Sequence, residues 1–202
     1  MRFVAATHNK HKLEEFRAIT ELFGFELVTK EDVGLGDLDP EETGTTLEEN
    51  SLIKARAICR AGGYPAIADD TGLMVDALNG APGIYSARYG GEDGNDVLNR
   101  ARLLKELAGV PPERRTAHFA SVITAVWPDG RVLQARGEVH GHILEEERGD
   151  HGFGYDSLFC PDGYEEPFAV LPAELKNRIS HRANALREFR TQLERLTREH
   201  EL

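Results

Sequence analysis

The sequence predicts an α/β fold, a mixed central β-sheet flanked by helices, on three observations. The apolar run Pro65-Ala66-Ile67-Ala68 ends abruptly in Asp69-Asp70-Thr71-Gly72-Leu73, as a buried strand would where it runs out at carboxylates, with Gly72 read as a turn. Residues 116 to 127 alternate and return through Pro128-Asp129-Gly130, the signal of a long hairpin. Helical stretches separate these strands without strict strand–helix alternation, so the sheet is mixed.

The elements follow in order. Arg2 to Ala6 reads as a strand, and residues 10 to 23 as an amphipathic helix with Leu13, Phe16, Ile19, Leu22 and Phe23 on one side. Glu41-Glu42-Thr43-Gly44 is a turn, and Thr45 with Glu48 fits a capping box for a helix that Gly62-Gly63 ends. The opening strand comes next, extended through residues 72 to 76, and then the loop Asn79-Gly80-Ala81-Pro82-Gly83. Asn95 or Asp96 caps a helix with Leu98, Ala101, Leu104 and Leu107 in one stripe. In the hairpin Ala117, Phe119, Ser121, Ile123, Ala125 and Trp127 share a face, and Arg131 to Gly141 runs back. Leu158-Phe159-Cys160 is a short strand, and a last helix starts near Ser180 with Leu186, Phe189, Leu193 and Leu196 at helical spacing.

Composition bounds the function. The chain has 202 residues, 40% hydrophobic and 29% charged, enough for one sizeable domain. A formal net charge of −11 argues against duplex nucleic acid and anionic membranes as partners. No apolar run reaches the roughly 18 residues that span a bilayer. Met1 to Thr7 reads as a strand and not as a secretory signal, so a cytoplasmic protein with Cys59 and Cys160 as free thiols is expected.

Four constellations could carry chemistry. Thr7-x-Asn9-x-x-Lys12 lies between a strand and a helix N-terminus, where unpaired N–H groups and the helix dipole favour an anion; without glycines it is no Walker loop. Glu42 with Asp69 and Asp70 offers a small set of hard oxygen ligands suited to Mg²⁺. Successive strand residues point to opposite faces, so only one of Asp69 and Asp70 faces the ligand, and the other meets a helix N-terminus, an Arg or a backbone partner. Gly152-Phe153-Gly154-Tyr155-Asp156 offers close backbone approach, two aromatics to stack and an acid to accept from a base N–H. In Lys176-Asn177-Arg178-Ile179-Ser180-His181-Arg182, an N-cap at Ser180 puts cations in the first turn of a helix, against its dipole, which asks for an anion.

In this order, Thr7-x-Asn9-x-x-Lys12, Glu41-Glu42-Thr43-Gly44, Glu49-Asn50, Ala68-Asp69-Asp70-Thr71-Gly72-Leu73, Gly80-Ala81-Pro82-Gly83-Ile84-Tyr85-Ser86-Ala87-Arg88-Tyr89, Phe153-Gly154-Tyr155-Asp156 and Ile179-Ser180-His181-Arg182 resemble the noncanonical purine nucleoside triphosphate pyrophosphatases, also called inosine/xanthosine triphosphate pyrophosphatases. The resemblance implies an elongated sheet, two lobes around a nucleotide cleft, a homodimer, and Mg²⁺-dependent hydrolysis of dITP, ITP and XTP to monophosphate and pyrophosphate. It implies that Thr7, His8, Asn9, Lys10, His11 and Lys12 wrap the triphosphate, with His8, Lys10 and His11 contributing mainly backbone. It makes Glu42 and Asp70 metal-associated acids and Asp70 the proton acceptor, with Lys12 and Lys176 stabilising phosphate charge, so that Asp70 is the half placed toward the ligand and Asp69 the half that supports the turn or orients its neighbour. Thr71, Phe153, Gly154, Tyr155, Asp156, Lys176, His181 and Arg182 match nucleotide-binding positions. His8 and His11 stand where small residues are common, which makes the phosphate loop bulkier. Two further classes are weighed: an aspartate-nucleophile phosphatase, disfavoured because that chemistry wants Asp-x-Asp on one strand face, and a nucleotide sensor that binds without turnover.

Overall fold

A computed structural model describes residues 2–22, 24 and 26–200. Along the chain run β1 (Arg2–Ala5), α1 (Lys10–Leu22), β2 (Glu26–Thr29), α2 (Leu47–Gly62), β3 (Ala66–Val75), β4 (Pro82–Gly83) and α3 (Asp96–Glu106). After these come β5 (Thr116–Val126), β6 (Val132–Ile143), β7 (Phe159–Pro161), α4 (Ala173–Ile179) and α5 (His181–His200). The strands form one seven-stranded mixed sheet in the order β2-β1-β3-β5-β6-β7, with β4 paired to β3. Strand β1 lies parallel to β2 and β3, while β4 and β7 pair antiparallel with β3 and β6. The mixed sheet with helices is the fold class expected from the sequence.

The chain divides into two compact units. The first comprises Met1–Asp70, Ser121–Gly137 and Arg182–Leu202, the second Thr71–Ala120 and Glu138–His181. In the first, Phe3, Phe16, Ile67, Ile123, Leu186 and Phe189 share a buried cluster, with Phe3 edge-on to Trp127 and Phe189 at 5.6 and 6.1 Å. In the second, Leu73, Val75, Leu103, Leu107, Phe119, Phe159 and Phe168 form the core. Among the described residues no helix is long and apolar enough to cross a membrane. Cys59 and Cys160 are buried free thiols.

Several local expectations change. The capping box of α2 lies one residue later: Thr46 Oγ1 accepts from Glu49 N at 3.1 Å, and the Glu49 carboxylate accepts from Thr45 N at 2.6 Å. Gly72 is no turn but mid-strand, because a Cβ there would stand 2.6 Å from the Gly83 carbonyl oxygen of β4. The buried face of α3 is Asn99, Leu103 and Leu107; Leu98 and Ala101 are exposed. Asn99 takes that place because its amide accepts from Gly90 N and donates to Ala87 O, at 2.6 and 2.9 Å. Strand β5 is buried on both faces from Phe119 to Val126, so its alternation marked one covered side of two. β2 and α4 are short elements that periodicity did not mark. Phe23 lies outside the described residues, as do the side chains of Ile19 and Leu22.

One buried cation closes the second unit. Arg115 donates to Leu107 O, Val110 O and Leu144 O at 2.9, 3.0 and 3.0 Å, satisfying carbonyls beyond the end of α3. Replacing it strands those acceptors away from water. Arg115→Ala is expected to destabilise the protein by about 2–4 kcal/mol, read as a lowered midpoint in urea.

Candidate active site

β1 ends at Ala5, and the chain turns through Thr7-His8-Asn9 into α1. Thr7 Oγ1 accepts from Asn9 N at 3.2 Å, and Asn9 Oδ1 caps α1 by accepting from Lys12 N at 3.0 Å. The Asn9 side chain therefore serves the helix, and Lys10 and Lys12 place two cations in a first turn without an acid. Lys10 and His11 are exposed. The His8 ring turns toward Lys30, Glu31 and Asp39, which agrees with a backbone role for this position in the loop.

β3 separates its two carboxylates as the strand period requires. Asp69 is buried and accepts from Arg182 Nε and Nη2 at 3.2 and 2.9 Å, with Lys12 Nζ at 3.6 Å. Arg182 Nη1 also pairs with Glu15 of α1. Burial alone would raise the Asp69 pKa, but Lys12, Arg182 and Lys54 overcome it and hold the carboxyl well below the usual range. Asp70 meets a different partner: Lys54 of α2 donates to Asp70 Oδ1 at 2.8 Å and pairs with Glu42 Oε1 at 3.0 Å. Burial pushes the Asp70 pKa up; Lys54 and Lys12 offset only part of this, and the Glu42 charge adds to it. Lys54 stays charged: burial opposes its charge, but Asp70, Glu42 and Asp69 outweigh it and push its pKa up to about 12.

The segment holding Glu42 is pinned by Asn50, fully buried on α2, whose Oδ1 accepts from Gly44 N at 2.8 Å. Glu42 and Asp70 thus aim carboxylate oxygens at a single cationic point. Such a pair fits a Mg²⁺ ion that brings phosphate oxygens and water as its remaining ligands. Among the described residues no group of three or more His, Cys, Asp or Glu is arranged to hold a metal, so substrate would complete the set.

The other residues singled out in the sequence sit in the second unit. Thr71 follows Asp70 on β3 and is partly buried. Lys176 of α4 donates to Asp156 Oδ2 at 2.6 Å and stands over the rings of Phe153 and Phe168, 5.0 and 5.7 Å from their centroids. Asp156 also accepts from Phe153 N at 3.0 Å. A Cβ at Gly152 would collide with that carboxylate, so the glycine is needed there for close approach. The Gly154 peptide is held at both ends, its N–H by Asp96 at 2.7 Å and its carbonyl by Arg100 at 2.9 Å. His181 stacks on Phe119 with ring centroids 4.8 Å apart.

Three expectations need correction. Tyr155 is no stacking platform: its ring lies in the core, its hydroxyl donates to Ser86 O at 2.8 Å, and burial raises its pKa. Lys176 is the counter-ion of Asp156, not a spare phosphate cation. The anion sought for the cations at the start of α5 comes from the protein itself, because Asp69 and Glu15 take Arg182. Sequence reasoning missed Lys54, Arg100 and Glu15, and gave Asn50 and Asp96 no part in holding the site. Lys54 had a signal: it lies one turn past Asn50 on the α2 face that buries Leu47, Asn50, Ser51, Ala55 and Ile58.

A sheet whose middle strand delivers two carboxylates to opposite sets of cations, beside a strand-to-helix loop rich in N–H groups and lysine, defines an α/β protein suited to a phosphorylated ligand. The chain belongs to the Ham1 family, whose model matches residues 3–192. It is 48% identical over 194 residues to the dITP/XTP pyrophosphatase of Haemophilus influenzae, covering 95% of this chain and 98% of that one. It is 49% identical over 186 residues to the dITP/XTP pyrophosphatase of Geobacter sulfurreducens, covering 92% of each. The Staphylococcus aureus Ham1 protein matches in structure with a TM-score of 0.84 at 39% identity, over 96% of this chain and 98% of that chain.

The two carboxylates have opposite effects on stability. Asp69 has a depressed pKa in the folded state, so its contribution is full at neutral pH. It is lost as pH falls below the ordinary carboxylate value of about 4. Asp69→Asn should lower the unfolding free energy by about 3 kcal/mol or more at neutral pH, because Arg182 loses its charged partner. Asp70 has a raised pKa, so its contribution is present in acid and is lost as pH rises through the folded value. Asp70→Asn should therefore lose that dependence on pH. Urea titrations from acid to neutral pH read both effects, and an Asp69→Asn protein of unchanged midpoint contradicts the assignment.

Proposed function

We propose that this protein hydrolyses purine nucleoside triphosphates bearing a 6-keto base, dITP, ITP, XTP and dXTP, to the monophosphate and pyrophosphate, cleansing the nucleotide pool. The observation that carries the proposal is the division of two adjacent carboxylates of β3, Asp69 held by Arg182 and Asp70 set against Lys54 beside Glu42. The similarity to proteins named dITP/XTP pyrophosphatase supports the substrate class. The proposal includes Mg²⁺, a homodimer and a cytoplasmic setting.

Water attacks the α-phosphorus, a new P–O bond forms and the bond to the pyrophosphate oxygen breaks. Asp70 receives the water proton, and a base with a raised pKa is better matched to that task than an ordinary carboxylate. Lys12 and the N–H groups at the start of α1 take the phosphate charge. Lys54 keeps Asp70 and Glu42 in register and neutralises the charge between them. A bound Mg²⁺ ion, held by Glu42 and Asp70, would supply further neutralisation of the phosphate oxygens. Asp69 acts as a strut through Arg182 and Lys12.

In the second unit, Phe153 offers a ring for the base while Lys176 and Asp156 hold its backbone in place. Selectivity against adenine rests on the 6-position, where hypoxanthine and xanthine present an acceptor and adenine a donor; guanine shares that acceptor, so its rejection involves the 2-position. A buried donor facing that atom rejects adenine by about 10⁴ or more.

The test is incubation with ITP, XTP, ATP and GTP, with and without Mg²⁺, and separate assay of pyrophosphate and orthophosphate. Pyrophosphate from ITP and XTP, abolished by chelation, is the expected result. Orthophosphate points instead to a phosphatase, tight binding without turnover to a sensor, and equal kcat/KM for ITP and ATP removes the selectivity claim. Asp70→Asn should lower kcat by about 10²–10⁴. The acid limb of the wild-type kcat/KM profile should lie above the ordinary carboxylate value of about 4 and should vanish in Asp70→Asn.

A further inference from the structure

Lys30 is among the largest fully buried side chains, and the catalytic scheme above gives it no work. β1 and β2 run parallel with Ala5 opposite Thr29, so both strands end at the same edge of the sheet. The phosphate loop leaves one strand there and Lys30 leaves the other. Lys30 Nζ donates to Leu38 O at 2.6 Å and contacts His8 Nε2. An ammonium has donors and no lone pair, so the His8 nitrogen accepts. The other imidazole nitrogen then carries the proton and faces Glu31 Oε1 at 3.4 Å, with Asp39 Oδ1 3.7 Å from Nε2. The main chain builds the same knot: Leu35 N donates to Lys30 O at 2.8 Å and Leu38 N to Leu35 O at 3.0 Å. This fixes the Leu38 carbonyl, from which Asp39-Pro40-Glu41 leads directly to Glu42.

We propose that Lys30 is a positioning residue that ties the phosphate loop, through His8, to the segment carrying Glu42, through Leu38. The proposal rests on the function proposed above, in which one segment holds phosphate and the other a metal-associated acid. A single buried amine then sets the spacing between the two halves of the triphosphate site in the first unit. A buried amine whose hydrogen-bond partners among the described residues are a carbonyl and an imidazole depends on both segments being in place, and each segment in turn depends on it. The negative charges that face this group are Glu31 and Asp39; burial pushes the Lys30 pKa down, and these acids offset only part of that shift.

The test compares wild type, Lys30→Met, His8→Ala and the double variant. Met keeps the apolar stem and removes the tether. The readouts are kcat and KM for ITP across Mg²⁺ concentrations, and amide hydrogen exchange in residues 7–12 and 38–44. Lys30→Met should raise KM, and the Mg²⁺ needed for half-maximal rate, by about five-fold or more with kcat within about two-fold, the pattern of lost binding geometry. Exchange should quicken in both segments and not in β3. His8→Ala should quicken exchange in residues 7–12, and the double variant should be no worse than Lys30→Met, because both remove one connection. Additive effects, or a lower melting temperature with KM and exchange in both segments unchanged, overturn the proposal. If wild type releases no pyrophosphate from ITP, the functional assignment fails, and the exchange data alone decide the tether.

Discussion

The first unit is organised around the buried ion pair of Asp69 and Arg182. A carboxylate taken out of water costs several kcal/mol unless geometry and further hydrogen bonds repay it. Here one oxygen accepts two guanidinium N–H groups, and Lys12 adds a second positive charge. The pair joins the end of a buried strand to the first turn of α5, while Glu15 brings in α1. Cations at a helix N-terminus oppose its dipole, and two carboxylates cancel that penalty for Arg182. Three elements are thus held by one guanidinium, and the phosphate loop inherits its position through Lys12.

This arrangement also explains why adjacent acids suit the site. Because side chains alternate along β3, fixing Asp69 on Arg182 directs Asp70 to a different neighbour, Lys54. One residue is held as an ion and the other is buried against a single lysine with Glu42 nearby, so their proton affinities are driven apart. Acids spaced Asp-x-Asp would share one face and the same cations. Asp69 thus serves as a strut on Arg182, while Asp70 shares Lys54 with Glu42.

Much of this was legible in the sequence. The buried strand, the split of Asp69 from Asp70, the hairpin and the apolar face of α5 follow from periodicity, which depends on local geometry alone. Lys54 was passed over because a lysine on an amphipathic helix is usually solvated; only the acids of another strand and loop make burying it worthwhile. Tyr155 read as a ring able to stack on a ligand because glycines flank it in sequence, yet Ser86 offers its hydroxyl a partner from a distant loop. Gly72 read as a turn because glycine commonly breaks strands, and only the approach of Gly83 shows that it keeps one open. The clamp of Asp96 and Arg100 on Gly154 joins side chains to a backbone group, a contact that leaves no residue pattern to detect.

A chain with a formal net charge of −11 is an unpromising receptor for a triphosphate, and the local charges show how the difficulty is met. Lys12, Lys54 and Arg182 are each already paired with carboxylates. A polyanion arriving here would not find bare cations; it would compete with Asp69, Asp70 and Glu42 for lysines those acids have oriented in advance. Preorganisation of this kind lowers the entropy lost on binding but leaves too little net positive charge to hold several phosphate groups. In the function proposed above, a divalent cation brought in with the phosphates would supply that deficit, and Glu42 and Asp70 would hold it. On that proposal the acidity of the site is compatible with a triphosphate ligand, because the acids would match the metal and the lysines the phosphates.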